Sequence, residues 1–306
     1  MNFIKKVLKH ITDVNFILRY LFSFKIFSIL PDKIYLKILY RLQLGRKLDL
    51  KNPKTFNEKL QWLKLNDRKP EYSIMVDKYR VREYIKEKLG EEYIIPLIGV
   101  WDRAEDIDFS KLPDKFALKC NHNSGLGMCI CRDKSKLDIE KVKKELNKGI
   151  KQNYYKTCRE WPYKNVERKI ICEKYMEQES SCELTDYKFF CFNGEPEFLY
   201  VSDGLENHDT ARISFVTIDW EFADFKRSDY ERHDKLPKKP EKYEEMLEIA
   251  RLLSKGFPFL RVDLYEIGGK IYFSELTFSP CGGFMPFTSY ESDLKLGEMI
   301  KLNGEK

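Results

Sequence analysis

Two carboxylates, Asp263 and Glu275, flank the pair Gly268-Gly269. Apolar residues surround both: Phe259, Leu260, Val262 and Leu264 before the glycines, Ile271, Tyr272 and Phe273 after them. A glycine pair between two such runs predicts a β-hairpin. Asp263 stands five residues before the turn and Glu275 six after it. Such positions lie nearly opposite each other, so the carboxylates can converge. In apolar surroundings they need a cation to offset repulsion and desolvation. Mg²⁺ bridging nucleotide phosphates suits the pair, since it takes one or two carboxylates plus phosphate oxygens. The competing reading is two solvent-facing residues on an edge hairpin.

Lys119 follows Phe116-Ala117-Leu118, and Ser124, Gly125 and Gly127 stand in the loop after it. A lysine on a strand before such a loop can point at a phosphate, and small residues let backbone N–H groups approach the same anion. Alone, Lys119 reads equally as the outer face of an edge strand. The run Ile170-Ile171-Cys172 leads into Glu173-Lys174-Tyr175-Met176, whose backbone could meet an adenine edge. His122 lies in the loop after Lys119, where a structural role outweighs a proton shuttle or a phosphate contact. Nothing beside Cys129 or Cys281 suggests an activated thiolate.

The elements that must position these residues follow from periodicity. Ile4, Val7, Leu8 and Ile11 among Lys5, Lys6 and Lys9 predict a basic amphipathic helix near the start, packed on the body or lying on a membrane interface. A helix over 33–44 follows. Thr55 and Glu58 have capping-box spacing before Leu60, Trp62 and Leu63, which predicts a helix within 52–66. Helices are also expected over 72–89, 137–149, 241–253 and 294–302. Strands are expected over 93–100, 116–120, from 128 to 131, and over 169–175, 187–192, 197–202, 214–218, 259–265 and 270–275. The class is mixed α+β with mostly hairpin-joined strands. It lacks regular βαβ alternation, GxGxxG and GxxxxGK[ST].

The net charge of +6 is uneven. Residues 1–51 hold eleven Lys/Arg and three Asp, a balance of +8, so the remainder carries −2. A basic end on a slightly acidic body argues against a nucleic-acid groove and fits an anionic surface or acidic polymer. Eight cysteines without a paired CxxC framework, and four histidines, argue against zinc and suit a reducing cytoplasm. No secretory signal is evident, and the Val14–Leu30 stretch is interrupted by Arg19 and Lys25.

The order of the pieces resembles the ATP-grasp superfamily: Asp77-Lys78, Pro96, Phe116-Ala117-Leu118-Lys119, Ser124-Gly125, Glu173-Lys174-Tyr175-Met176, Arg261-Val262-Asp263, Glu275-Leu276-Thr277 and Gly282-Gly283. Within it the chain looks like the TupA-like group of bacterial surface-polysaccharide clusters. The pointers are Asn52-Pro53-Lys54-Thr55-Phe56-Asn57-Glu58-Lys59, Pro96-Leu97-Ile98-Gly99-Val100-Trp101, Asp186-Tyr187-Lys188-Phe189 and Glu275-Leu276-Thr277-Phe278. The likeness covers about residues 50–306. It implies two lobes clasping ATP, with a basic helical segment over 1–70 and an ATP-grasp domain over 71–306. Within that domain, a lobe and lid would span about 71–172 and a metal-binding lobe about 173–306.

The same resemblance implies roles. Lys78 and Lys119 would bind the phosphates, with Ser124 and Gly125 in a lid over them. Glu173 and the backbone of Lys174, Tyr175 and Met176 would hold adenine, and Asp186 would sit near the ribose, with Glu183 as a rival. Lys188 and Arg261 would serve catalysis. Asp263, Glu275 and Thr277 would hold Mg²⁺, Thr277 standing where the superfamily usually has Asn. The implied reaction is ATP-dependent joining of a carboxylate to an amine through an acyl phosphate. Its substrates would be a sugar acid, free or carried on a lipid or nucleotide, and an amine or amino acid. The implied setting is the cytoplasm, with peripheral membrane contact through residues 1–30. A sugar phosphotransferase, a glycosyltransferase and a non-catalytic assembly component are the alternatives, though no DxD-type triplet supports glycosyl transfer.

Overall fold

A computed structural model describes residues 27, 29–177, 184–203 and 211–302. The expected basic helix over 3–18 and Glu183 lie outside the described residues. Helix α1 (Asp32–Leu44) comes first, then α2 (Phe56–Asn66), the short α3 (Glu71–Met75) and α4 (Val81–Lys88). Two antiparallel sheets follow. The smaller holds β1 (Leu97–Trp101), β2 (Phe116–Cys120), β3 (Met128–Cys131) and β4 (Ile170–Lys174), ordered β1-β4-β2-β3. Helices α5 (Ile139–Lys151) and α6 (Tyr155–Cys158) lie between β3 and β4. The larger sheet holds β5 (Asp186–Phe192), β6 (Glu195–Asp203), β7 (Arg212–Thr217), β8 (Phe259–Ile267) and β9 (Lys270–Thr277), ordered β7-β6-β5-β8-β9. Helix α7 (Tyr243–Ser254) precedes β8, and α8 (Tyr290–Met299) follows β9.

Period-two alternation gives the larger sheet two different faces. Tyr187, Phe189, Cys191, Leu260, Val262 and Leu264 point to one face, where Met246, Ala250 and Leu253 of α7 cover them. The residues between them point the other way. At one end of that second face, Phe190, Phe192, Phe198, Phe215 and Phe259 form an aromatic core with Phe56 of α2. Phe56 meets Phe259 edge to face at 5.1 Å, a preferred geometry for two quadrupolar rings. At the other end stand Asp186, Lys188, Arg261 and Asp263. A single alternation thus buries the apolar half of each strand and lines up the polar half.

The expected capping box is present: Thr55 accepts from the Glu58 N–H, and Glu58 accepts from the Thr55 N–H. Two helices differ from expectation. The single helix expected over 72–89 is broken between α3 and α4, because the Asp77 carboxylate accepts from the N–H groups of Tyr79 and Arg80. An aspartate that bonds local backbone offers the chain a turn in place of a continuous helix. The last helix starts at Tyr290, not 294, because Ser289 caps it by accepting from the Ser292 N–H. The segment expected as a strand over 93–100 begins with a 3-10 turn over Glu91–Tyr93, and β1 starts only at Leu97.

Tyr72, Met75, Val81 and Ile85 of α3 and α4 are buried in the core of the larger sheet. The chain then passes to the smaller sheet, and Ile94 bridges to Phe273 on β9. The break carrying Lys78 is therefore anchored on one lobe and faces the other. In the smaller lobe, Gly127 at the base of the β2–β3 loop crosses Gly149 of α5. A Cβ on Gly127 would stand 2.7 Å from the Gly149 Cα, and the φ of Gly127 is +72°. Both constraints demand glycine there.

Candidate active site

The Gly268-Gly269 turn has φ of +58° and +70°, as a type I′ turn requires. From it, Tyr265 pairs with Tyr272 and Leu264 with Phe273, but Asp263 pairs with Glu275 and Arg261 with Thr277. The register shift leaves Ser274 as the extra residue of a β-bulge. Without it, Glu275 would share a face with Ile271 and Phe273. With it, Glu275 and Thr277 join Asp263 on the polar face, while Leu276 stays in the core.

Asp263 is fully buried and both its oxygens are engaged. Arg261 Nε donates to Oδ1 at 2.7 Å, and Arg261 Nη2 to Oδ2 at 2.6 Å. Lys188 Nζ donates to the same Oδ2 at 3.0 Å and to Asp186 Oδ1 at 2.9 Å. Arg261 Nη2 also donates to Thr277 Oγ1 at 2.9 Å and lies 3.9 Å from Glu275 Oε2. Lys78 Nζ reaches across to Glu275 Oε1 at 3.0 Å and to the Asn123 carbonyl, at the base of the β2–β3 loop, at 3.0 Å. Burial raises the Glu275 carboxyl, but Lys78 and Arg261 overcome it and hold the group well below the usual carboxylate range. Burial likewise disfavours charge on Lys188, and Asp186 and Asp263 outweigh it, so the lysine stays cationic.

Facing this cluster, Lys119 on β2 pairs with Glu173 Oε2 on β4 at 2.6 Å. Arg82 Nη1 holds Glu173 Oε1 at 3.1 Å, and its Nη2 donates to the Ile95 carbonyl at 2.6 Å. A cleft is lined by Lys119 and Glu173 of the smaller sheet, by Phe273 and Ser274 of the larger, and by Lys78, Val81, Arg82 and Ile95 of the segment that connects them. Ser124 and Gly125 are exposed in the β2–β3 loop. The Lys174 N–H donates to the Pro96 carbonyl, so a backbone donor for an adenine edge has to come from Tyr175 or Met176. Tyr175 also accepts from Arg132 Nε through its hydroxyl at 2.9 Å.

Sequence reading missed Arg82, which no spacing marks, and the network that fixes Lys78. Asn121 Nδ2 donates to Asp77 Oδ1 at 2.7 Å and to the Glu167 carbonyl at 2.8 Å, and Asn121 Oδ1 accepts from the Lys169 N–H. The Asn121 carbonyl accepts the Lys78 N–H at 3.1 Å. A buried network with its partners supplied rigidifies what it holds, here the lysine between the lobes.

His122 is buried, and its Nε2 lies 3.1 Å from the Gln152 carbonyl beyond α5. Burial lowers it to about 4 from 6.5, so it is neutral at pH 7 and serves packing. The unfolded chain binds this proton between those two values and the native protein does not, so stability falls as pH drops through that window. By pH 5 the loss is about 2 kcal/mol. His122→Gln should therefore show a smaller drop in melting temperature between pH 7 and pH 5 than the wild type; equal drops would reject the assignment. Burial also raises the thiol of Cys129, so it is not an activated nucleophile.

The donor set fits a hard divalent cation. Asp263, Glu275 and Thr277 offer only oxygen, as Mg²⁺ prefers. Among the described residues no cluster of three or more His, Cys, Asp or Glu side chains forms an alternative metal site. Lys78, Lys188 and Arg261 balance Asp186, Asp263 and Glu275, while Lys119 and Arg82 exceed Glu173 by one charge. A triphosphate brings more negative charge than this surplus offsets, so a divalent ion is electrostatically favoured beside it.

No helix of the described residues is long and apolar enough to cross a membrane. No curated protein matches the sequence. Among solved structures, the chain is similar to D-alanine–D-alanine ligase from Helicobacter pylori, at 15% identity and a TM-score of 0.44, over 82% of this chain and 70% of that one. The same ligase from Bacillus anthracis, complexed with ATP, is similar at 16% identity and a TM-score of 0.40, over 67% and 55%. The ATP-grasp ligase PsnB, complexed with a phosphomimetic variant of its minimal precursor, Mg and ADP, is similar at 10% identity and a TM-score of 0.39, over 72% and 57%. The chain thus spans little more than half the length of the last two. These partial likenesses do not decide the family. A family match does: the TupA-like ATP-grasp family covers residues 58–301, most of the chain. The chain belongs to the TupA-like ATP-grasp family and is an ATP-grasp enzyme.

Proposed function

We propose that the protein is an ATP- and Mg²⁺-dependent ligase that joins a carboxylate to an amine through an acyl phosphate. We further propose that it attaches an amino acid or amine to a uronic-acid or other sugar unit for a bacterial capsule or surface polysaccharide, on the cytoplasmic side of the membrane. The observation that carries the ligase reading is the single sheet face bearing Lys188, Arg261, Asp263, Glu275 and Thr277 opposite Lys78 and Lys119. The family's setting and the +8 balance of residues 1–51 support the polysaccharide reading.

In this reading Lys78 and Lys119 hold the phosphates, and Asp186, bonded to Lys188, sits near the ribose. Asp263, Glu275 and Thr277 would hold Mg²⁺, which supplies charge neutralisation on the phosphate oxygens when bound. Arg261 and Lys188 stabilise the charge that develops as a substrate carboxylate oxygen bonds to the γ-phosphorus and ADP leaves. The amine nitrogen then bonds to the acyl carbon, phosphate departs with the C–O bonding pair, and a proton is lost from nitrogen. No enzyme nucleophile takes part. Positioning and fixed charge do the work.

The test is incubation with ATP, Mg²⁺, glucuronic- or galacturonic-acid donors and amino acids. ADP, free phosphate and an amide are expected. A stable phosphate ester would make the protein a phosphotransferase, and no ADP with any pair would count against catalysis of either kind.

A further inference from the structure

Val142 and Leu146 of α5 pack with Phe116, Leu118 and Cys120. The helix therefore covers the face of the smaller sheet opposite to that of Lys119. Its solvent side carries Lys141, Lys144, Lys148 and Lys151, all exposed and spaced three, four and three residues apart. At that spacing they form one stripe along the helix. Lys148 pairs with Glu145 at 2.5 Å, whereas among the described residues Lys141, Lys144 and Lys151 have no carboxylate partner. Like charges three or four residues apart destabilise a helix, and Lys141 stands in the first turn, the unfavourable end for a cation. Helix stability alone does not call for this stripe. Lys144, Lys148 and Lys151 line an open groove of about 470 Å³ with Glu105, Glu140 and Asn147. Asn147 Nδ2 donates to Glu105 Oε1 at 2.7 Å, tying α5 to the 3-10 turn Ala104–Asp106. No aromatic or aliphatic residue lines the groove.

We propose that this groove binds a linear acidic polysaccharide. The site goes beyond the ligase reading and needs no nucleotide. Residues 52–306 sum to −2, so the stripe is a local excess of positive charge on a slightly acidic body. Its lysines can meet carboxylates along a chain, about one per helical turn of 5.4 Å. Glu105, Glu140 and the Asn147 amide can take hydroxyls between them. Those two functional groups, carboxylate and hydroxyl, are what an acidic sugar chain presents. A flat anionic membrane is the poorer match, because the groove is concave and offers no apolar side chain to insert. Single-stranded nucleic acid is held on aromatic platforms, and none is present. A duplex carries a charge about every 1.7 Å, and two carboxylates in the groove oppose that density. A chain held on α5 lies across the sheet from Lys119 and leaves the nucleotide cleft open.

Isothermal titration of the full chain with polygalacturonate tests this, with dextran as the neutral control. Polygalacturonate is expected to bind, more weakly as salt rises, and dextran is not. The triple variant Lys144→Glu, Lys148→Glu, Lys151→Glu should lose about tenfold or more in affinity. A triple change to Gln at the same positions, which suits a helix, should lose affinity in the same direction even where the Glu variant folds poorly. A control triple variant, Lys235→Glu, Lys238→Glu, Lys270→Glu, alters net charge equally at other exposed positions and should stay within about threefold of the wild type. The proposal is overturned if polygalacturonate does not bind, if dextran binds as well, or if the control and α5 variants lose affinity alike. Intact binding by the α5 variants would overturn it too, and would move the polymer to another basic surface such as residues 1–51. So would phosphatidylglycerol vesicles or single-stranded DNA that depend on these lysines more than the polymer does.

Discussion

Asp263→Asn should lower ADP release by about a thousandfold, because it removes a proposed metal ligand and a fixed charge from the centre of the site. It should also destabilise the protein by about 3–5 kcal/mol, the usual cost of breaking a buried ion pair from one side. Both effects follow from one position. Asp263 is fully buried and takes bonds from Arg261 and Lys188. An amide of the same shape takes away the carboxylate that Arg261 and Lys188 share, leaving Lys188 with Asp186 alone and Arg261 with the more distant Glu275. The two effects separate experimentally. Thermal denaturation in the absence of nucleotide and Mg²⁺ reads the loss of the ion pairs. Turnover against Mg²⁺ concentration reads the ligand role, and the Mg²⁺ needed for half-maximal rate should rise. A variant that turned over within tenfold of the wild type at the same Mg²⁺ concentration would remove Asp263 from the metal site.

The convergence of Asp263 and Glu275 was legible because three local signals agreed: apolar runs on both sides, a glycine pair and a carboxylate in each run. The one-residue mismatch in their distances from the turn was also visible. Its meaning was not, since a bulge at Ser274 depends on which residues the core of the larger sheet accepts. The capped start of α2 was equally local, with Thr55 and Glu58 three residues apart. The break before α4 depended on one side chain, Asp77, whose bonds to Tyr79 and Arg80 compete with a helical pattern that otherwise continues. Arg82 left no trace in the sequence pattern. It reaches Glu173, 91 residues away. Strand faces and caps are set by neighbours in the chain, whereas a charge network is set by tertiary packing.

That network also decides what Arg261 does, and Arg261→Lys isolates it. The substitution keeps the charge over Asp263 but replaces a planar fork with a single ammonium. In the native protein Nε and Nη2 hold the two oxygens of Asp263, and Nη2 also reaches Thr277 Oγ1. An ammonium can neutralise Asp263, so the fold should survive with a melting temperature close to the wild type. It cannot span Asp263 and Thr277 in one rigid plane, so the carboxylate and hydroxyl should lose their fixed relation. Misplaced charge in a closed site is worth about 10²–10³ in rate. The expected result is therefore a kcat lower by that factor, with KM for ATP little changed, because Lys78 and Lys119, the proposed phosphate-binding groups, remain. Steady-state ADP release across ATP concentrations reads both parameters at once. If KM rose and kcat held, Arg261 would be a binding group. If neither changed, the charge alone would suffice and the fork geometry would have no part in the chemistry.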